Sequence, residues 1–421
     1  MSDFENQTTN IDLGFVYLDS PTTLQNIGTV LRCENAFNTQ EVVSRIKLVL
    51  GRISKLKFFL KHDTWVEDFY FDLNNHVEII NTENYTFQPE EPRAANLLGY
   101  KTDFEILNEK IKIPFQSERP PWKFYLVNSR SIVATFHHSI IDGQGIVELL
   151  KSLVDQADMD NTKFLSAKQI KVSFDKKIQI SKHIKFIPSI IKNLFSKNNN
   201  LSKALKLEEN SSDRRIFFFE TNNMRIRELK LKLKATSSEI IFGVIAQALY
   251  NNTEHQGEIV AATPVSFRKK NERLLLGNYL SGCDVKLPPV NLSLEEKIKY
   301  ISLQFKKIGS KIEELEYLRL ITLGSLLPSS ITKKLYKKKS LTSSVIISSM
   351  NFSNNILTLD NSPIRCFIPM AAVLPSHGMA ITFTKYRDRF QFGINTDEKF
   401  LEKFDVQAFI NDVTKLLSLS K

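Results

Sequence analysis

Apolar and polar positions repeat with two different periods along the chain. From Thr39 to Leu60 the residues Val42, Val43, Ile46, Val49, Leu50, Ile53 and Leu56 form one stripe, and the spacing predicts a helix. Ser131 to Phe136 is short, continuous and apolar, which predicts a buried strand; helical spacing returns from Ile146 to Val154. The turn between them holds His137, His138, Asp142 and Gly143. Further on, "RRIFFFE" from Arg214 predicts a strand. Ser237 to Tyr250 predicts a helix opened by a Ser-Ser-Glu cap. Ser343 to Ser348, Met379 to Thr384 and Phe390 to Ile394 read as strands, and about Leu401 to Leu419 as a closing amphipathic helix. Strands and helices are mixed throughout, which gives an α/β or α+β class without an internal repeat. The polar stretch Ser196 to Asp213, with "KNNN" and "ENSSD", breaks both periods and marks a linker.

Length changes this picture first: 421 residues suffice for two domains with large cores. Phe is abundant at 30 while Trp numbers 2, which favours apolar packing. The start, "MSDFENQTTN", is acidic and polar, unlike a signal peptide, and no apolar run approaches the roughly 18 residues of a membrane span. Cys33, Cys283 and Cys366 are too scattered for a disulfide framework or a CxxC metal site. A reduced, cytoplasmic protein is expected.

The net charge of +11 is concentrated. Eight lysines and no acid lie between Lys176 and Lys206, and five more lie between Lys333 and Lys339. These thirteen exceed the whole excess, so local basic surfaces are expected rather than a nucleic-acid face. "KKIQISKHIKFIPSIIKNLFSK" and "LRLITLGSLLPSSITKKLYKKKS" interleave lysines with Ile, Leu and Phe, a composition that suits the surface of a membrane or lipid droplet. A solvated helix packed on the protein is the alternative.

The chemistry sits at the strand-to-helix turn. A histidine at the end of a buried strand is held still, as a general base requires. Asp142 can fix the turn, Gly143 can supply a backbone angle closed to other residues, and strand alternation sends His137 the other way from His138. A buried histidine pair satisfied by local hydrogen bonds is the structural alternative. Trp65 and Trp122 read as core residues. His76 and His377 lack metal-ligand spacing, and no P-loop, dinucleotide fingerprint, GxSxG or HExxH occurs.

HHxxxDG is the pattern of the chloramphenicol acetyltransferase-like superfamily, which includes condensation domains and many coenzyme A-dependent acyltransferases. More narrowly, the chain resembles the bacterial wax ester synthase/diacylglycerol acyltransferase family. "TWVEDFYFDLNNHV" (Thr64 to Val77) resembles that family's Trp-Val-Glu-Asp…Phe-Asp…His-Val segment. "PFQSERPPWKFYLV" (Pro114 to Val127) resembles its Pro-Leu-Asp…Arg-Pro-Leu-Trp segment, and "TPVSFR" (Thr263 to Arg268) with "LGNYL" (Leu276 to Leu280) its Pro-Val-Ser-x-Arg…Gly-Asn pair. Two departures stand out. Thr236 is followed by Ser237, Ser238 and Glu239 where Asn-Asp is common, and Ser353-Asn354 lacks the usual Pro-Gly-Pro.

The resemblance implies an α/β fold of two chloramphenicol acetyltransferase-like domains, each a mixed sheet with packed helices, and an active-site tunnel between them. With the linker, the domains are expected at 1–195, 196–213 and 214–421. It also implies acyl transfer from coenzyme A to an alcohol, as in wax ester or triacylglycerol synthesis. The chemistry agrees. A thiolate leaves readily, so the difficult proton is the one on the attacking hydroxyl, and a neutral imidazole can take it. His138 is the expected base. The resemblance turns Asp142 away from the substrate towards an arginine, and Arg268 is the candidate by order along the chain. Asn278 and Ser353, with Asn354 beside it, are candidates for binding substrate or the developing oxyanion. His137 and Gly143 complete the motif structurally. No metal or cofactor is expected; acyl-CoA is a co-substrate, and a hydroxyl-bearing acceptor is the second partner. Two alternatives stay open: a condensation-like enzyme using a carrier-protein-bound acyl donor, and a non-catalytic member that binds an acyl ligand or partner.

Overall fold

The computed structural model describes residues 10–82, 101–157, 201–253, 257–266, 268, 276–309 and 329–418. Residues 158–200, with most of the first lysine stretch and the start of the expected linker, lie outside them. The first half contributes helices α1 (Asn10–Leu18), α2 (Thr39–Arg52), α3 (Lys101–Lys110) and α4 (Gly143–Lys151). Its strands are β1 (Asn26–Cys33), β2 (Phe58–Lys61), β3 (Thr64–Glu67), β4 (Val77–Ile80), β5 (Trp122–Val127) and β6 (Ser131–His137). In the second half the strands are β7 (Arg214–Asn222), β8 (Val260–Ser266), β9 (Leu280–Lys286), β10 (Val345–Ser353), β11 (Thr358–Leu359), β12 (Ser362–Met370), β13 (Met379–Tyr386) and β14 (Arg389–Asp397). The helices there are α5 (Met224–Leu233), α6 (Ser237–Asn251), α7 (Leu294–Gly309), α8 (Ser329–Ser340), α9 (Glu398–Leu401) and α10 (Val406–Leu417).

The expected mixed α/β architecture is present as two six-stranded sheets, ordered β11-β12-β1-β6-β5-β4 and β7-β14-β13-β10-β8-β9. In the first sheet β4 and β5 run parallel and the rest antiparallel; in the second, β10 is parallel to both β13 and β8. Two strands cross the expected division. β11 and β12 come from the second half but join the first sheet, where Gly28 faces Met370 across β1 and β12.

Strand β6 shows how the sequence positions the site. Ile132, Ala134 and Phe136 enter the core of the first half. Val133, on the opposite face, enters a smaller core with Phe104, Ile216 and Phe218 that joins the halves. Phe104 and Phe218 stack there with centroids 3.6 Å apart. Buried on both faces, β6 is a rigid rod that ends at His137, immediately before His138.

Four expectations change at their edges. The Thr39–Leu60 stripe stops being α-helical at Arg52, and Phe58 already belongs to a hairpin strand. The helix expected from Ile146 begins at Gly143, because the Asp142 carboxylate caps it by accepting from the Gly145 N–H. Thr236, rather than the serines after it, caps α6 through a reciprocal box with Glu239. The closing helix is two helices, the second restarted by an Asp405 cap.

Candidate active site

The turn from β6 to α4 brings the motif together with residues of the second half. Asp142 is buried and points away from His138's ring nitrogens into a closed set of donors. Its Oδ2 accepts from Arg268 at 2.7 Å and from the Tyr279 backbone N–H at 2.8 Å, while Oδ1 accepts from Gly145 N–H at 2.8 Å. Arg268 also donates to the Gly277 carbonyl at 2.9 Å, and its guanidinium lies over the Tyr279 ring. Burial pushes the Asp142 carboxyl up, but the Arg268 charge and these hydrogen bonds more than offset it and hold it below the ordinary carboxylate range. The Asp142–Arg268 pairing expected from chain order is therefore present, and it staples the motif to the second half.

The two adjacent histidines differ in tautomer. His137 Nδ1 accepts from the Ser139 backbone N–H at 3.2 Å, so a neutral ring carries its proton on Nε2, which faces Asp19 at 3.6 Å. His137 is a brace: Asp19 also accepts from Gln25 N–H, and the Gln25 carbonyl accepts from His138 N–H. His138 does the reverse. Its Nδ1 lies 3.2 Å from Asn278 Oδ1, an atom that can only accept, so the proton sits on Nδ1 and Nε2 is the basic nitrogen. Phe15 of α1 stacks on the imidazole at 3.6 Å between centroids. His138 keeps some accessible surface, yet protein surrounds it closely enough that burial pushes its pKa down to about 4. The ring is thus a neutral base throughout the physiological range.

Asn278 needs a correction. It was expected among donors to a substrate oxyanion, but its Nδ2 donates to Asp12 Oδ1 at 2.9 Å and to the His138 and Ser139 carbonyls at 2.8 Å each. Those protons are committed to protein acceptors, and the amide works behind the imidazole. Ser353 and Asn354 do not converge on the motif either. Ser353 Oγ bonds within its own turn to Asn355, and Asn354 accepts from Lys385 at the surface. Arg268 is spent on Asp142 and Gly277. Gly143 is corrected too: among the described residues Gly277, not Gly143, is the glycine with positive φ. A Cβ on Gly143 would instead lie 2.8 Å from Met350 Sδ, so the missing side chain admits β10 against the start of α4.

Sequence reasoning missed the support under Asn278. Asp12, 0 % exposed, receives Asn278, the Trp65 indole N–H at 3.0 Å and the Lys55 ammonium at 3.3 Å. The available signal was a carboxylate inside the apolar stretch "NIDLGFVYL". Among the described residues, no group of three or more His, Cys, Asp or Glu is placed to hold a metal ion.

Residues 276–419 match the model of the WS/DGAT C-terminal domain, the wax ester synthase/diacylglycerol acyltransferase family's second half. Over its whole length the chain is similar in structure to the wax ester synthase/diacylglycerol acyltransferase of Marinobacter aquaeolei VT8, at TM-score 0.66 and 15% identity, covering 98% of both chains. It is similar as well to the first condensation domain of the calcium-dependent antibiotic synthetase, at TM-score 0.68 and 12% identity, covering 98% of this chain and 96% of that one. A third likeness is the starter condensation domain of rhizomide synthetase, solved with C8-CoA and Leu-SNAC, at TM-score 0.66 and 11% identity, covering 98% and 93%. Among proteins with curated descriptions, none matches the chain in sequence. The WS/DGAT domain contains Asn278 and every strand from β9 onward, so the family match includes the residue that holds His138. Of the segments that carried the resemblance, Leu276–Leu280 lies within the matched residues, and the rest of the chain shares the fold.

Proposed function

We propose that the protein is an O-acyltransferase that moves an acyl group from acyl-CoA to an alcohol, forming a wax ester, a triacylglycerol or a related lipid ester. One observation carries this reading: His138 has its Nδ1 proton held by Asn278, which leaves Nε2 as a neutral base at the junction of the two halves. An alcohol's proton passes to Nε2 as its oxygen attacks the thioester carbonyl. The tetrahedral intermediate then collapses, the C–S bond breaks, and the imidazolium returns the proton to the departing thiolate. The products are an ester and free coenzyme A, with neither metal nor covalent enzyme intermediate required. Asp142 takes no proton in this scheme. Its ion pair with Arg268 holds the loop while chemistry occurs at His138.

The condensation-domain likenesses keep a carrier-protein donor as the second reading, because a shared fold does not fix the acyl donor. Following thiol release with acyl-CoA and with acyl-carrier donors, across acyl chain lengths and alcohols, separates them. Release dependent on acyl-CoA and alcohol supports the first reading. Release from the carrier alone would overturn it, and none from either would favour a non-catalytic acyl binder.

The reading includes peripheral contact with a lipid surface. Helix α8 exposes Lys333, Lys334 and Lys337 and packs on α1, where Tyr336 occupies the space above Gly14, one residue before Phe15. A basic face so near the candidate base suits acceptors dissolved in an anionic lipid surface. No helix among the described residues is long and apolar enough to cross a membrane.

A further inference from the structure

We infer that Asp12 is a positioning residue for His138, acting through the Asn278 side-chain amide to fix which imidazole nitrogen carries the proton. The inference rests on His138 being the base. Its ground is the set of acceptors that the Asn278 amide meets behind the ring. The Asn278 NH2 group faces three acceptors: Asp12 Oδ1 at 2.9 Å and the His138 and Ser139 carbonyls at 2.8 Å. Turning the amide over would set its oxygen against a buried carboxylate and two carbonyls, and its NH2 against the imidazole. Asp12 makes that turn the unfavourable one, because a carboxylate can only accept. With the amide locked, Oδ1 faces His138 Nδ1 at 3.2 Å, and only an N–H can satisfy that contact.

Asp12 is itself held. Its other oxygen receives the Trp65 indole and the Lys55 ammonium, which also lies over the Trp65 ring. Lys55 supplies the counter-charge that a fully buried carboxylate needs. Four separate segments therefore meet behind one ring: α1, the turn carrying Lys55, β3, and the approach to β9. A carboxylate placed for packing alone would not need its lone pairs aimed at the amide that touches the base. As the ring gains a proton, the carboxylate also polarises the amide oxygen towards the forming imidazolium.

The test is Asp12→Asn, a change of similar shape that adds an N–H2 donor facing Asn278. Two-bond ¹H–¹⁵N correlation spectra distinguish the tautomers of a neutral imidazole, and His138→Gln identifies the resonances of His138 among the seven histidines. Wild type should show the proton on Nδ1. Asp12→Asn should move part of the population to Nε2–H and lower kcat by about 10- to 100-fold, with KM for acyl-CoA nearly unchanged. This is less than the roughly 10⁴-fold loss where an aspartate touches the imidazole directly, since two carbonyls still hold the amide. A folded Asp12→Asn protein with the wild-type tautomer and wild-type kcat would overturn the inference. So would a wild-type ring protonated on Nε2, a result that does not depend on the variant folding. A tautomer shift without loss of turnover would instead support Asp12's control of the ring and refute His138 as the base.

Discussion

At the scale of the residue, the question posed by two adjacent histidines resolves into two tautomers. His137 accepts at Nδ1 and braces the turn, whereas His138 donates at Nδ1 and keeps Nε2 for chemistry. His138→Ala should lower turnover by about 10²- to 10⁴-fold, the usual contribution of a general base, while circular dichroism and the thermal midpoint stay near wild type. A folded variant with near-normal thiol release would exclude the role. The same ring sets a pH expectation. Because burial lowers its pKa to about 4, kcat/KM should stay flat down to about pH 5 and fall below that, rather than turning near the ordinary 6.5. An acid limb near 6.5 would mean the free enzyme's base is a solvated imidazole, not this one. Stability should move in the same direction. His138 and the buried His377 both stay neutral in the fold but regain ordinary basicity on unfolding, so between about pH 6.5 and about pH 4 the unfolded chain binds more protons. Stability is therefore complete above that window and declines as pH falls through it.

At the scale of the element, legibility followed contact range. Strand β6 and helix α4 could be read because each announces itself within its own residues: continuous apolar positions, then a capping aspartate. Asp142 and Arg268 could be paired because the resemblance gave their order. Asp12 could not be found, since its partners Lys55, Trp65 and Asn278 lie 43, 53 and 266 residues away and nothing local distinguishes a helix-start aspartate from a relay. β12 was equally hidden: its partner β1 lies in the other half of the chain, and no period encodes that register. Gly143 reads from the sequence as a special backbone angle, whereas the structure gives it a packing contact, because a sequence shows the missing Cβ and not the atom that fills its place. Gly143→Ala should fold, having no forbidden φ, and lose less than about 1 kcal/mol, because the atoms in its way are the flexible thioether end of half-buried Met350. In a Met350→Ala background that small cost should vanish, read as the difference in denaturant midpoint between Met350→Ala and the double variant, because the Sδ at 2.8 Å is the obstacle. Additive losses would show that the glycine serves the backbone instead.

At the scale of the whole molecule, the two halves are tied by two strands, a shared core and an ion pair, and the ion pair is made by Asp142 of the same turn as the candidate base. That arrangement makes the charge distribution matter. The +11 excess is gathered in two stretches, one of which lies in α8, the helix that packs on α1 beside Phe15. If α8 meets an anionic lipid surface, each lysine there contributes about 1 kcal/mol. Replacing Lys333, Lys334 and Lys337 with Gln should then weaken binding to phosphatidylserine-containing vesicles by up to about 100-fold at low salt, and the difference should shrink as salt screens the charges. Activity on a long-chain alcohol presented in those vesicles should fall with the binding, while activity on a soluble short-chain alcohol stays near wild type, since none of the three touches His138. Equal losses on both alcohols would assign the lysines to the phosphates of coenzyme A, and unchanged binding and activity would leave α8 a solvated face.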